Sequence, residues 1–245
     1  MEATQTRLRE MHEKLRLIEN NELKGINDNL EKLKCELNNL KIARFTLLNV
    51  FGIERRELSH SNFLKWILDP KGSHELGDKF LARFIKLVAT KSKGKHVANS
   101  VKYDELRVER ERVGDESRLD IKIYDRDKTF LCVLENKIES GEGTDQTWRL
   151  YRDNHDESVA NEFFVYLTLP GEKGPETDEM SKIWLHITYK DIAKIFSGLM
   201  KMGLNPYTKC LLSDYLKNLD ELVSLSEFKD FGKNSTPASN FSFST

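Results

Sequence analysis

Two carboxylates and a lysine stand at the ends of two apolar runs. The first run is Leu119-Asp-Ile-Lys-Ile-Tyr124 and the second is Phe130-Leu-Cys-Val-Leu-Glu-Asn-Lys-Ile138. Both are rich in Ile, Leu, Val and aromatic residues, which predicts buried strands. Asp120, Glu135 and Lys137 are costly to bury unless each is paired or bound to something. A divalent cation held by the two carboxylates offsets that cost and creates a site for phosphodiester chemistry.

Register decides whether the three can meet. Asp125-Arg-Asp-Lys128 reads as the turn of a hairpin. With a turn of two or four residues, Asp120 lies opposite Val133 and Glu135 is its diagonal neighbour, roughly 7–8 Å away. Asp120, Glu135 and Lys137 then share one face of the sheet, and Asn136 points to the other. A three-residue turn would put Asp120 on the wrong face.

The elements that must position these residues follow from spacing. Residues 5 to about 48 read as helix, with Leu8, Met11, Leu15 and Ile18 in one apolar series and Leu23, Ile26, Leu30, Leu33, Leu37 and Leu40 in another. The two series are out of phase near Asn20, Asn21 and Gly25. This predicts a coiled-coil-like arm with a discontinuity, or two packed helices. Its readings are self-association or packing on its own domain, and the densely charged remainder of the face favours self-association. A short helix follows, capped by Ser59 or Ser61 and stopped before Pro70. Asp78 can cap a second helix, whose apolar positions are Phe80, Leu81, Phe84, Ile85 and Val88.

Leu106 to Val113 alternates and reads as a first strand. After the hairpin, Thr144 or Asp145 can cap a helix through Asn154. A strand at 162–169, a short strand at 183–187 and helices near 189–202 and 206–223 complete the chain. From Lys229 the tail is rich in Ser, Asn and Gly and is expected to be disordered. The expected domains are therefore an arm at 1–48, a catalytic-type domain at 49–228 and a tail at 229–245.

Composition narrows the class. Hydrophobic content of 38% and charged content of 32% suit a soluble protein, and the net charge of −1 gives no global basic signal. Basic residues do cluster from Lys79 to Lys102, with Lys91, Lys93 and Lys95 at the centre and no acid among them. That stretch either contacts phosphates or is a solvated helix end and loop. The scattered Cys35, Cys132 and Cys210 argue against a zinc site or a disulfide framework and fit a cytoplasmic protein. No run approaches a membrane span, and no phosphate-binding glycine loop, HExxH or GxSxG is present.

Asp120, then Glu135-x-Lys137 after a hairpin, then a helix and a strand, resembles the PD-(D/E)XK nuclease superfamily. The resemblance extends to Ser61-Asn-Phe-Leu-Lys-Trp-Ile-Leu-Asp-Pro70, Gly72-Ser-His74, Gly77-Asp-Lys-Phe-Leu81, Glu135-Asn-Lys-Ile138 leading to Gln146 and Tyr151, and Val165-Tyr-Leu-Thr168. It covers about residues 55–220 and looks like a bacterial branch with an ENK-type catalytic strand. The proline expected before the aspartate is Leu119 here. The resemblance implies a restriction-endonuclease-like αβββαβ core, a mixed central sheet flanked by helices, preceded by the helical arm.

The resemblance also implies roles. Asp120, Glu135 and the backbone carbonyl of Asn136 would hold Mg²⁺, for which Mn²⁺ can substitute, and Glu57 is a candidate for a further ligand. Its alternative is a helix-start glutamate favoured by the macrodipole. Lys137 would orient the attacking water or stabilise the phosphorane, with Gln146 positioning the lysine or the phosphate. Arg149, Tyr151, His74, Lys91, Lys93 and Lys95 are candidate nucleic-acid contacts. Tyr151 could equally be core, and His60 and His74 could equally be structural.

The expected activity is a metal-dependent endonuclease, with DNA the expected substrate ahead of RNA, in restriction, repair or phage defence. The expected assembly is a homodimer or higher oligomer through the arm, with room for a protein partner. The alternative is a non-cutting nucleic-acid-binding or scaffold protein with a nuclease-like fold.

Overall fold

A computed structural model describes residues 13, 23–26, 29–30, 45–92, 101–110 and 119–234. The chain divides into two compact units, Met1–Phe45 and Thr46–Thr245. In the first unit, residues 23–26 and 29–30 are helical, and Leu23, Ile26 and Leu30 are exposed. The rest of the expected heptad seam lies outside the described residues, as do Lys93 and Lys95.

The second unit opens with a four-residue helix, α1 (Leu47–Val50), capped by the Thr46 side chain. A new cap at Thr46 replaces the single helix expected to run to residue 48. Next come α2 (Glu57–Leu68), α3 (Lys79–Lys91), β1 (Arg107–Arg110), β2 (Ile121–Tyr124) and β3 (Leu131–Asn136). They are followed by α4 (Gln146–Asn154), β4 (Glu162–Thr168), α5 (Asp178–Ile183), β5 (Trp184–Thr188), α6 (Tyr189–Leu199) and α7 (Pro206–Asn234). The αβββαβ order and the mixed sheet are as the sequence implied. Among the described residues no helix is long and apolar enough to cross a membrane.

The five strands lie in the order β1-β2-β3-β4-β5. β1, β2 and β3 form an antiparallel meander, and β3, β4 and β5 run parallel through the α4 and α5 crossovers. Strand β3 is buried along its whole length, as expected of a central strand covered on both faces. On one face Ile121, Ile123, Cys132, Leu134, Val165 and Leu167 join the larger core, which α2, α3, α6 and α7 cover. On the other face Val133, Phe164, Tyr166 and Trp184 form a smaller core with Leu150 of α4 and Met180 of α5.

Local corrections have physical causes. The helix α2 starts at Glu57, so Ser59 and Ser61 sit inside it and cap nothing. Asp145 precedes α4 in a left-handed conformation without a side-chain cap. Glu142 takes over that task, with Oε1 accepting from the Thr147 N–H at 2.9 Å and from the Thr147 hydroxyl. Helix α7 runs on to Asn234, past the Lys229 at which the sequence suggested the tail begins.

Asn136 ties the layers together on the larger-core side. Its side chain is buried, donates 3.1 Å bonds to the Glu57 carbonyl and the Ser61 hydroxyl, and accepts a 2.6 Å bond from the Tyr189 hydroxyl. One amide thus joins β3 to α2 and α6. Asn136→Ala strands these partners in the core, so it is expected to lower stability by about 1–3 kcal/mol, read as a shift in the urea midpoint. An unchanged midpoint would remove Asn136 as the interlayer tie.

Candidate active site

The β2–β3 connection is longer than the sequence suggested. Ile121 pairs with Leu134 and Tyr124 with Leu131, and the Asp125 N–H donates to the Phe130 carbonyl. Register therefore shifts by two residues while its parity is kept. Asp120, one step beyond Ile121, falls opposite Glu135 rather than Val133. The Asn136 N–H donates to Asp120 Oδ2 at 2.8 Å, which pins the aspartate to the end of β3.

Glu135, Lys137 and Gln146 close a triangle. Lys137 Nζ lies 3.0 Å from Glu135 Oε1 and donates to Gln146 Oε1 at 2.9 Å. Gln146 Nε2 donates to the same Glu135 oxygen at 2.6 Å. Gln146 Oε1 also accepts from the Gly143 N–H at 3.2 Å, so the loop before α4 sets the position of the glutamine. The lysine is thus aimed by two side chains from different elements. The Glu135 side chain is 3% exposed and that of Lys137 11%.

Burial governs the electrostatics. Burial first, and then the Asp120 charge, push the Glu135 carboxyl up to about 8, against the pull of Lys137. Burial also holds Asp120 above its ordinary value, although the Asn136 N–H and the Lys137 charge pull it down. Two carboxylates side by side in a desolvated site resist ionising together. Glu135 Oε1 is fully used, but Oε2 is buried without a partner.

That orphaned acceptor beside Asp120 is what a hard cation would satisfy, since Mg²⁺ takes oxygen donors and retains water. Among the described residues no third His, Cys, Asp or Glu joins the pair as a metal-ligand cluster. Asp120 and Glu135 are therefore the side chains that fit a divalent cation, with the Asn136 carbonyl and water as further oxygen donors.

Glu57 is placed differently from a free ligand. Its Oε1 accepts from the Ile138 N–H at 2.9 Å and the Ser140 hydroxyl at 2.7 Å, and more weakly from the Glu139 and Ser140 N–H groups. Burial works to raise its carboxyl, yet these bonds and the Lys137 charge hold it below the usual range. Glu57 therefore clamps the chain that leaves β3 immediately after Lys137.

His74 and His60 are both held inside the fold. His74 is fully buried; the Leu76 N–H donates to Nδ1 at 3.0 Å, which leaves Nε2 to donate to the Asp69 carbonyl at 2.9 Å. Its ring packs so tightly against Gly72 that a Cβ there would meet it at 2.8 Å. His74 is thus not available for the nucleic-acid contact expected of it. His60 likewise bridges the Tyr215 hydroxyl and the Glu54 carbonyl, at 2.8 Å each, and burial pushes it down to about 4.

Tyr151 is taken up in packing, stacked on His155 at 4.7 Å and edge-on to Phe164 at 5.0 Å. Arg149 is half-buried on α4, and its Nε has no partner among the described residues. Lys91 forms an ion pair with Asp191 at 3.1 Å, so the basic stretch is partly neutralised within the fold.

The sequence reading did not single out Glu142 or Tyr189. Glu142 carries a motif-free loop position; its one local signal is a carboxylate just ahead of a helix start. Tyr189 opens α6, and nothing local announces that it reaches Asn136.

With this geometry in place, family comparison is decisive. Residues 45–217 match the family model of the PD-(D/E)XK nuclease superfamily. The chain belongs to that superfamily. Its match spans the sheet, all five strands and the start of α7, and PD-(D/E)XK nucleases generally use divalent metals. No curated protein and no solved structure matches the chain. The matched span takes in Asp120, Glu135 and Lys137, the residues that converge at the end of β3.

The raised Glu135 carboxyl has a sign-defined consequence. In the unfolded chain Glu135 ionises near 4.5, in the folded chain near 8. Between those values the folded state holds the extra proton, so metal-free stability falls as pH rises. Glu135→Gln removes this slope, which is on the order of a few kcal/mol across the window. The difference between the two proteins isolates it, because the depressed His60 tilts both the other way below about 6.5. Urea midpoints with chelator at pH 5.5, 6.5 and 8 are the check, and parallel slopes would contradict the assignment.

Proposed function

We propose that this chain is a metal-dependent endonuclease that hydrolyses phosphodiester bonds in DNA. The observation that carries the reading is the buried Glu135 oxygen left without a partner beside Asp120, with Lys137 aimed into the same place by Gln146. Asp120 and Glu135 would hold Mg²⁺ or Mn²⁺, together with the Asn136 carbonyl. When bound, the cation supplies an acidified water and offsets charge on the phosphate and the leaving oxygen.

The chain's own groups do the rest. Lys137, positively charged and nearly desolvated, orients the attacking water and neutralises charge that develops on the phosphoryl oxygens. Gln146 keeps Lys137 from collapsing fully onto Glu135 by sharing the same carboxylate oxygen. Glu57 fixes the backbone after Lys137, so the ammonium stays in place. Asn136 fixes β3 from the opposite face. A site held from three directions suits chemistry that depends on positioning to fractions of an ångström.

The heptad pattern of the arm supports self-association, and a dimer would present two such sites for cutting both strands. Arg149, with an unpartnered Nε close to Gln146 in sequence, is the side chain on α4 best suited to a backbone phosphate. A cytoplasmic setting in restriction, repair or phage defence is the expected context. The reading competes with a nuclease-like scaffold that binds without cutting, and the retained lysine and glutamine favour catalysis.

The test uses plasmid, linear duplex and single-stranded DNA, and RNA, each with Mg²⁺, Mn²⁺ or chelator. Cutting is expected with metal only, and Asp120→Ala and Lys137→Ala are each expected to reduce it by about 100-fold or more. Salt-dependent binding without cutting on any substrate would establish the scaffold reading instead.

A further inference from the structure

Strand β4 carries a second polar group to the same place. Glu135 pairs in register with Tyr166 on the neighbouring parallel strand, so both side chains stand on the smaller-core face. Adjacent strands lie about 4.8 Å apart. Tyr166 is 2% exposed, as deeply placed as Glu135. A buried phenol normally finds a hydrogen-bond partner. The Tyr166 hydroxyl has none among the described residues, although Tyr189 and Tyr215 both use theirs.

Two groups without partners therefore stand on paired residues of neighbouring strands: the buried Glu135 Oε2, and a Tyr166 hydroxyl that is not sealed from solvent. They have not satisfied each other. Glu142 spans from the start of α4, through Thr147, to the loop before α5, where its Oε2 accepts from the Glu176 N–H at 2.7 Å. The same loop passes over the next residue in register, where a Cβ on Gly174 would lie 3.7 Å from the His186 ring. His186 in turn is bonded to the Thr168 hydroxyl at 2.7 Å, so neither competes for Tyr166.

A phosphodiester fits this arrangement. Its non-bridging oxygens accept hydrogen bonds, and a neutral phenol is a donor at working pH. An inorganic anion alone would meet Glu135 and Asp120 without compensation, whereas a phosphate bridged to them by a cation would not. We propose that the Tyr166 hydroxyl donates a hydrogen bond to a non-bridging oxygen of the scissile phosphate, as a substrate-contacting residue of the reaction. This rests on the nuclease reading above.

The test is Tyr166→Phe, which deletes one oxygen and keeps the ring that packs against Trp184. Steady-state cutting of duplex DNA with Mn²⁺ gives kcat and KM, and thermal melting of the same preparations reports the fold. The expected result is a fall in kcat of about 10-fold or more, with melting temperature unchanged and no matching loss for Tyr207→Phe, an exposed tyrosine. Wild-type kcat in Tyr166→Phe overturns the proposal and leaves the nuclease reading standing. A loss of activity that tracks a fall in melting temperature also overturns it. A wild type that cuts nothing removes both.

Discussion

The cost of burying the Glu135 carboxylate is the constraint on which the rest depends. An ionised carboxylate with so little exposure is not tolerated unless something pairs with it. Lys137 and Gln146 satisfy one oxygen, and the other is left with no partner. Asp120 raises the cost by bringing a second negative charge to the end of β3. The metal-free fold thus holds a site that is unfavourable by itself and is relieved by a cation. Structures that store strain of this kind do so at functional sites more often than elsewhere.

The scaffold explains how that cost is borne. Strand β3 lies at the centre of the sheet and is buried along its length. Its residues alternate between duties: Glu135 faces the site, and Asn136 faces the large core and locks to Ser61 and Tyr189. Glu57 then seizes the backbone beyond Lys137. The polar network is satisfied on the core side and incomplete on the site side. On the site side the unpartnered atoms include the Glu135 Oε2 that a cation could use.

Much of this was legible in the sequence, because the informative features are local. The apolar runs of β2 and β3, the alternation that separates Glu135 from Asn136, and the helical spacing of Phe80 to Val88 follow from periodicity alone. Parity placed Asp120 on the right face although the register was two residues off, since a six-residue connection leaves facing unchanged. What stayed hidden was long-range pairing. Nothing near Glu142 in sequence points to Glu176, and nothing near His60 points to the Tyr215 hydroxyl that its ring meets. Tyr166 reads as one more strand aromatic until parallel pairing sets it beside Glu135. Crossover geometry, not composition, decides such contacts.

The most direct measurement is calorimetric titration of the protein with Mn²⁺ at pH 6 and pH 8 in buffers of different ionisation enthalpy. If the Glu135 carboxyl is held up near 8 and faces the cation, binding is tighter at pH 8 and releases a proton at pH 6. Asp120→Ala and Glu135→Gln should each abolish it. Binding of equal strength at both pH values, with no proton released and both variants unaffected, would contradict the account at its centre.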